Sequence, residues 1–121
     1  MSIEVLAVDD SRTMRDLIAH TLRGAGMTPH LAEDGQHGLE VLETLHPDAI
    51  ITDINMPRLD GFGFIEALRA DARWRGLPIL VLTTESAPEL KARARDAGAT
   101  GWIVKPFDSE KLVRALQMVA G

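Results

Sequence analysis

The sequence predicts an α/β fold in which five parallel strands form one sheet wound by helices on both faces. Three observations predict it. Apolar runs of strand length, rich in Ile, Leu and Val, recur along the chain. Between them the apolar spacing switches to a helical period, and the strongest runs lack polar alternation, so both their faces must be covered. At 121 residues the chain is the size of one domain, so residues 1–121 are read as a single unit with no separate output domain.

The elements follow in order. "IEVLAV" (3–8) is the first strand. Met14, Leu17, Ile18, Thr21, Leu22 and Ala25 then make one helical stripe, of which Met14, Leu17 and Ile18 are read as core, and "RGAG" (23–26) supplies glycine where that helix stops. "MTPHLA" (27–32) is a weaker strand whose Pro29 cannot donate to a ladder, which assigns it to an edge. Leu39, Leu42 and Leu45 mark the second helix and "AIITDI" (49–54) the third strand. Phe62, Ile65 and Leu68 mark the third helix, and Trp74 in "DARWRG" is expected in a surface loop behind it. "PILVLTT" (78–84) is the fourth strand.

The fourth helix, around 87–97, has only Leu90 and several alanines to anchor it. Ser86 with Glu89 three residues on predicts a capping box, and Pro88 lies in the first turn, where its missing N–H is harmless. A helix so capped and so lightly anchored shifts at low cost. "DAGA" (96–99) ends it, "GWIVK" (101–105) is the fifth strand, and Leu112, Leu116 and Val119 line the last helix.

Composition excludes several function classes. Without cysteine there is neither a disulfide framework nor a thiolate metal site. The N-terminus has no basic leader and no run approaches the ~20 apolar residues that span a bilayer, so a cytoplasmic protein without membrane insertion is expected. The net charge of −5 opposes nucleic-acid binding, which needs clustered Lys and Arg. Lys91 to Arg114 holds six bases against three acids, giving +3 there and −8 elsewhere: a solvated face or a surface for an acidic partner. His20, His30, His37 and His46 lack metal-pair spacing and are read as surface or packing residues.

Functional groups of open α/β sheets gather beyond the carboxyl ends of the strands. Those ends carry Asp9 and Asp10, Asp53, Thr83 and Thr84, and Lys105. Any one Asp there is ordinarily a cap or turn residue. Three carboxylates, a hydroxyl and a lysine at four corresponding ends are a site. Adjacent Asp9 and Asp10 repel unless a cation screens them, and hard oxygen donors suit Mg2+. A carboxylate is a competent nucleophile toward phosphorus, and phosphoryl transfer asks mainly for positioning and charge neutralisation. Asp53 is the natural acceptor, with Lys105 and Thr83 placed to meet the added oxygens.

"AVDDSRTMRDLI", "ITDINMPRLDGFGFIEALR", "VLTTES" and "GATGWIVKPFDSEKL" together resemble the receiver domains of two-component response regulators, and among them the single-domain, CheY-like chemotaxis type. The resemblance covers essentially the whole chain. It implies a (βα)5 flavodoxin-like fold with strand order 2-1-3-4-5. It also implies that Asp53 is the phosphoacceptor, Asp10 a direct Mg2+ ligand, Asp9 a ligand through water, and the Asn55 backbone carbonyl a further ligand. Thr83 takes the place of the switch hydroxyl and Lys105 of the lysine paired with the phosphoryl group, with a cis bond between Lys105 and Pro106. Asn55 and Glu85 occupy positions that tune dephosphorylation, with Thr84 beside the access route.

Departures are visible as well. The switch aromatic, Tyr or Phe in the family, is Trp102, and the position after the acceptor, often Trp, is Ile54. The implied partners are a CheA-like histidine kinase as phosphodonor, a flagellar motor-switch protein, and a phosphatase. The target face joins the fourth helix, fifth strand and fifth helix, with Lys91, Arg95, Trp102 and Lys111, on a monomer. A phosphate sink or relay is the alternative output. A dehalogenase-type phosphatase would need an acid where Asn55 stands, and a flavodoxin-like cofactor site would not present Asp9 and Asp10 to a phosphate.

Overall fold

In the computed structural model, which describes residues 2–120, ten elements alternate strictly. They are β1 (Glu4–Val8), α1 (Arg12–Gly24), β2 (Thr28–Ala32), α2 (Gly35–Val41), β3 (Ala49–Thr52), α3 (Gly61–Ala70), β4 (Ile79–Thr83), α4 (Pro88–Ala97), β5 (Gly101–Val104) and α5 (Ser109–Ala120). The strands pair in parallel in the order β2-β1-β3-β4-β5. Pro29 lies on the edge strand β2, where its missing donor faces no second neighbour.

Strand alternation sorts the core into two layers. Leu6, Val8, Ile50, Ile79 and Val81 point to one face, against Leu42, Phe64, Ile65, Leu68 and Ala94 of the α2, α3 and α4 side. Val5, Ala7, Ala49, Ile51, Leu80 and Leu82 point to the other, against Ile18 and Leu22 of α1 and Leu112 and Leu116 of α5. Each fully buried Leu or Ile contributes about 1.5–3 kcal/mol, whereas an ion pair such as Arg73–Asp71 lies in solvent, where water screens it. The fold is therefore held by these two layers.

Three local expectations are corrected. Leu17 is not core: it is 47% exposed, because the buried line of α1 runs through Ile18, Ala19 and Leu22 and residue 17 falls at its edge. Trp74 is not a surface-loop residue but 6% exposed. Its amide donates to the Asp71 carbonyl, folding the turn after α3 back so that the indole enters the core layer and meets the His46 ring at 5.5 Å. The Ser86 capping box does not form. The helix starts at Pro88, which makes Ala87 the cap with no side-chain bond, and Ser86 lies one residue too early.

Helix α4 is pinned instead at its far end. Gly98 closes it at φ 115°, a conformation that favours glycine. The Arg69 guanidinium donates twice to the Gly98 carbonyl, at 3.0 and 2.9 Å, and also to the carbonyls of Trp74 and Arg75, at 2.8 and 3.1 Å. Burial lowers the Arg69 pKa, yet an arginine stays charged at neutral pH. Arg69→Ala removes the donors of three carbonyls and is expected to cost about 2 kcal/mol in urea unfolding. A loss under about 0.5 kcal/mol, the range of neutral surface changes, would mean that water replaces the guanidinium without penalty.

Candidate functional site

Register brings the acids together. Val8 of β1 pairs with Thr52 of β3, so the next residues, Asp9 and Asp53, leave adjacent strands side by side where the sheet order reverses. The Asp53 amide donates to the Val8 carbonyl at 3.0 Å, which locks the two exits to each other. Carboxylate oxygens of Asp9, Asp10 and Asp53 all lie within 4.8 Å of one another, with Asp9 and Asp53 buried and Asp10 exposed.

Lys105, just past β5, closes the cluster. Its Nζ donates to Asp9 Oδ2 at 2.7 Å and to Asp53 Oδ2 at 2.8 Å. The remaining oxygens are held by backbone: Asp9 Oδ1 accepts from the Ser11 amide at 2.9 Å, and Asp53 Oδ1 from the Ile54 amide at 2.6 Å. Burial pushes the Lys105 ammonium down, but the bonds to Asp53 and Asp9 and their charges outweigh it and raise its pKa above the ordinary lysine value. Three carboxylates facing one ammonium leave an excess of negative charge. An all-oxygen donor set of this kind fits a hard divalent cation, so the residues present suit a metal ion.

The surrounding residues fall into place by element. Thr83 ends β4, fully buried, with its Oγ1 accepting from the Glu85 amide at 3.4 Å, and Thr84 beside it is exposed. The Lys105–Pro106 peptide is cis. Asn55, exposed on the loop after β3, donates from Nδ2 to Glu85 Oε1 at 3.0 Å. Trp102 on β5 is half-buried, and its indole Nε1–H donates to the Glu85 carbonyl at 3.0 Å. Glu85 thus ties the loop after β3, the hydroxyl of Thr83 and the ring of Trp102 to one residue. Lys91, Arg95 and Trp102 line a cavity of about 240 Å³ between α4 and β5, while Lys111 stands exposed on α5 outside it.

Glycine lets the loop after β3 close. A Cβ on Gly61 would collide with the Asp53 carbonyl and lie 2.8 Å from Ile54 Cα, so only glycine allows α3 to start directly behind Asp53. Asp60 then caps α3 by accepting from the Gly63 amide at 2.8 Å.

A family model described as "Response regulator receiver domain" matches residues 5–117. The chain belongs to the response regulator receiver family. Among relatives of this receiver, chemotaxis protein CheY1 of Helicobacter pylori is 37% identical, with 98% of this chain and 98% of that protein covered. Response regulator MprA of Mycobacterium ulcerans is 38% identical over 97% of this chain, which spans only about half (50%) of MprA's length. The solved structure of chemotaxis protein CheY4 of Vibrio cholerae matches with a TM-score of 0.93 and 44% identity, covering 98% of this chain and 99% of that one. The receiver is thus a CheY-like member of the two-component phosphorelay regulators, with the (βα)5 strand order implied by the resemblance.

Two features of the receiver site had no clear signal in sequence. The Asn55–Glu85 and Trp102–Glu85 bonds join residues 30 and 17 positions apart, visible only once β3, β4 and β5 are side by side. A salt bridge between Arg58 and Asp34 joins the loop before α3 to the start of α2. Asp34 caps α2 by accepting from the His37 amide, and nothing in the sequence pairs it with Arg58.

Proposed function

We propose that this receiver is a phosphorylation switch that accepts a phosphoryl group on Asp53 from a histidine kinase of the CheA-like kind. The observation that carries the reading is the ammonium of Lys105 bridging Asp9 and Asp53 beside Asp10 at the switch point of the sheet. In the transfer, an Asp53 carboxylate oxygen forms a bond to phosphorus as the bond from phosphorus to the donor's imidazole nitrogen breaks. The electron pair leaves with the imidazole, which takes a proton from solvent.

Asp9, Asp10, Asp53 and the Asn55 carbonyl would hold Mg2+, which when bound supplies positive charge against the phosphoryl oxygens. Lys105 neutralises an oxygen of the new phosphoryl group, and the Thr83 hydroxyl donates to another. Drawing Thr83 inward pulls on Glu85, to which Trp102 and Asn55 are bonded, so the new charge reaches the face built by α4, β5 and α5. Lys91, Arg95, Trp102 and Lys111 are the contacts offered to a target there.

Asn55 and Glu85, bonded to each other across the loops after β3 and β4, set how water reaches the acyl phosphate in this reading, with Thr84 on the rim. The protein is in this reading a cytoplasmic, self-catalysed switch and not an enzyme that turns over a separate substrate. A dehalogenase-type phosphatase is disfavoured because Asn55, two residues beyond Asp53, is an amide bonded to Glu85 and supplies no general acid. Likeness to CheY proteins favours a flagellar motor-switch protein as target, with a phosphate sink or relay as the second output.

The test is affinity for a motor-switch peptide in Mg2+, with and without beryllofluoride standing in for the phosphoryl group. A switch of this type predicts tightening by about 5–150-fold. Absence of tightening together with unchanged Trp102 fluorescence would contradict it. A fluorescence change without tightening keeps the switch and assigns the sink or relay output.

A further inference from the structure

Arg58 is, among the described residues, the one residue other than glycine with positive φ, at 65°. A side chain with a Cβ avoids that conformation, and strained backbone of this kind persists where the surroundings over-determine it. Here the surroundings are a forked ion pair. Arg58 Nε donates to Asp34 Oδ2 at 2.8 Å and Nη2 to Oδ1 at 3.0 Å. Asp34 is only 4% exposed, and its Oδ1 also caps α2 by accepting from the His37 amide at 2.8 Å. The guanidinium therefore grips a carboxylate that is itself fixed to a helix terminus.

Backbone contact reinforces the grip. The Gly35 amide donates to the Leu59 carbonyl at 3.0 Å, and a Cβ on Gly35 would come within 2.5 Å of that oxygen. The loop from Ile54 to Asp60 is thus fixed at its base, where the Gly61 amide donates to the Ile54 carbonyl at 2.8 Å, and at its crown, by Arg58 and Leu59 on the start of α2. Asn55 lies between those two anchors.

We propose that Arg58 and Asp34 are positioning residues for the acidic site: their ion pair holds the loop after β3 in the strained form that presents Asn55 to Asp9, Asp10 and Asp53. The proposal rests on the receiver reading above, in which the Asn55 carbonyl is a metal ligand. Neither residue belongs to the cluster of Asp9, Asp10 and Asp53 itself. The forked geometry matters because a bidentate Arg–carboxylate pair fixes orientation as well as distance, which a lysine at position 58 would not.

Mg2+ titration by calorimetry, alongside urea unfolding in chelator, tests it on wild type, Arg58→Gly, Asp34→Asn and the double variant. Glycine suits φ 65° and an asparagine keeps the cap on α2, so each single variant retains the fold. Removal of a partner that orients a ligand predicts Mg2+ binding weakened about tenfold in either single variant. The double variant is predicted to lose no more than the singles, because the two residues act as one unit. Unchanged Mg2+ affinity in both singles, with wild type binding normally, would overturn the proposal and leave the receiver reading standing. Affinity that falls only in proportion to lost stability would assign the pair a structural role and overturn it too. No Mg2+ binding by wild type would sink the site reading and this inference with it.

Discussion

Asp53→Asn is expected to abolish labelling by a small donor such as acetyl phosphate while leaving the fold in place. The substitution keeps shape and swaps one oxygen for an amide nitrogen. The Ile54 amide, now donating to Asp53 Oδ1 at 2.6 Å, finds the same acceptor in the carboxamide oxygen. What disappears is the nucleophile, since a neutral amide offers phosphorus no competent oxygen at physiological pH. Lys105 loses its bond to Asp53 Oδ2 but keeps Asp9 Oδ2 at 2.7 Å, so the ammonium is not stranded. Labelling at the wild-type level in this variant would assign the acceptor elsewhere, with Asp10, the exposed member of the cluster, the first to examine.

Lys105→Ala is expected to have the largest effect on stability of any change in the site, and the effect depends on metal. Asp9 and Asp53 are buried and share this one ammonium, so removing it leaves two desolvated carboxylates with one backbone donor each, from Ser11 and Ile54. Breaking a buried pair by deleting one partner costs about 3–5 kcal/mol, and partial access through the side of Asp10 places this case at about 3. In chelator the urea midpoint should fall accordingly. Saturating Mg2+ should restore much of the loss, because a dication that binds only the folded state stabilises it by mass action and screens the same charges. The response of the α4–β5–α5 face to beryllofluoride should be lost even in saturating Mg2+, since the cation cannot reproduce the bond from Lys105 to the phosphoryl oxygen. An equal stability loss with and without Mg2+ would show that the lysine packs rather than neutralises.

The architecture was legible because its strands are written as uninterrupted Ile, Leu and Val. ILVLT at 79–83 is buried at every position, as a strand covered on both faces must be. Gly98 was legible for the same local reason, its left-handed φ ending α4. The strand-end rule also brings Asp9, Asp10, Asp53 and Lys105 into one cluster, because a residue that follows a parallel strand is placed by the sheet and not by its own preferences.

What escaped was decided by tertiary context. Trp74 sits among Asp, Arg and Gly, the composition of a loop, yet a single turn carries its ring into the core. Ser86 and Glu89 have the spacing of a capping box, but the fixed φ of Pro88 takes the first helical position and moves the cap to Ala87. Nothing in the sequence singles out Arg69 or Arg58. One clamps three carbonyls and the other holds a buried acid, because loops distant in sequence arrive beside them. Long polar side chains carry no period, and their partners follow from the fold alone.

Chemical trapping reads out whether Asp53 itself receives the phosphoryl group. Wild-type protein is incubated with acetyl phosphate and Mg2+, reduced with borohydride, which converts an aspartyl phosphate to homoserine, and mapped by peptide mass. Homoserine is expected at position 53, and absent when Mg2+ is chelated. Homoserine at Asp9 or Asp10, or none at any position in protein that binds Mg2+, would contradict it.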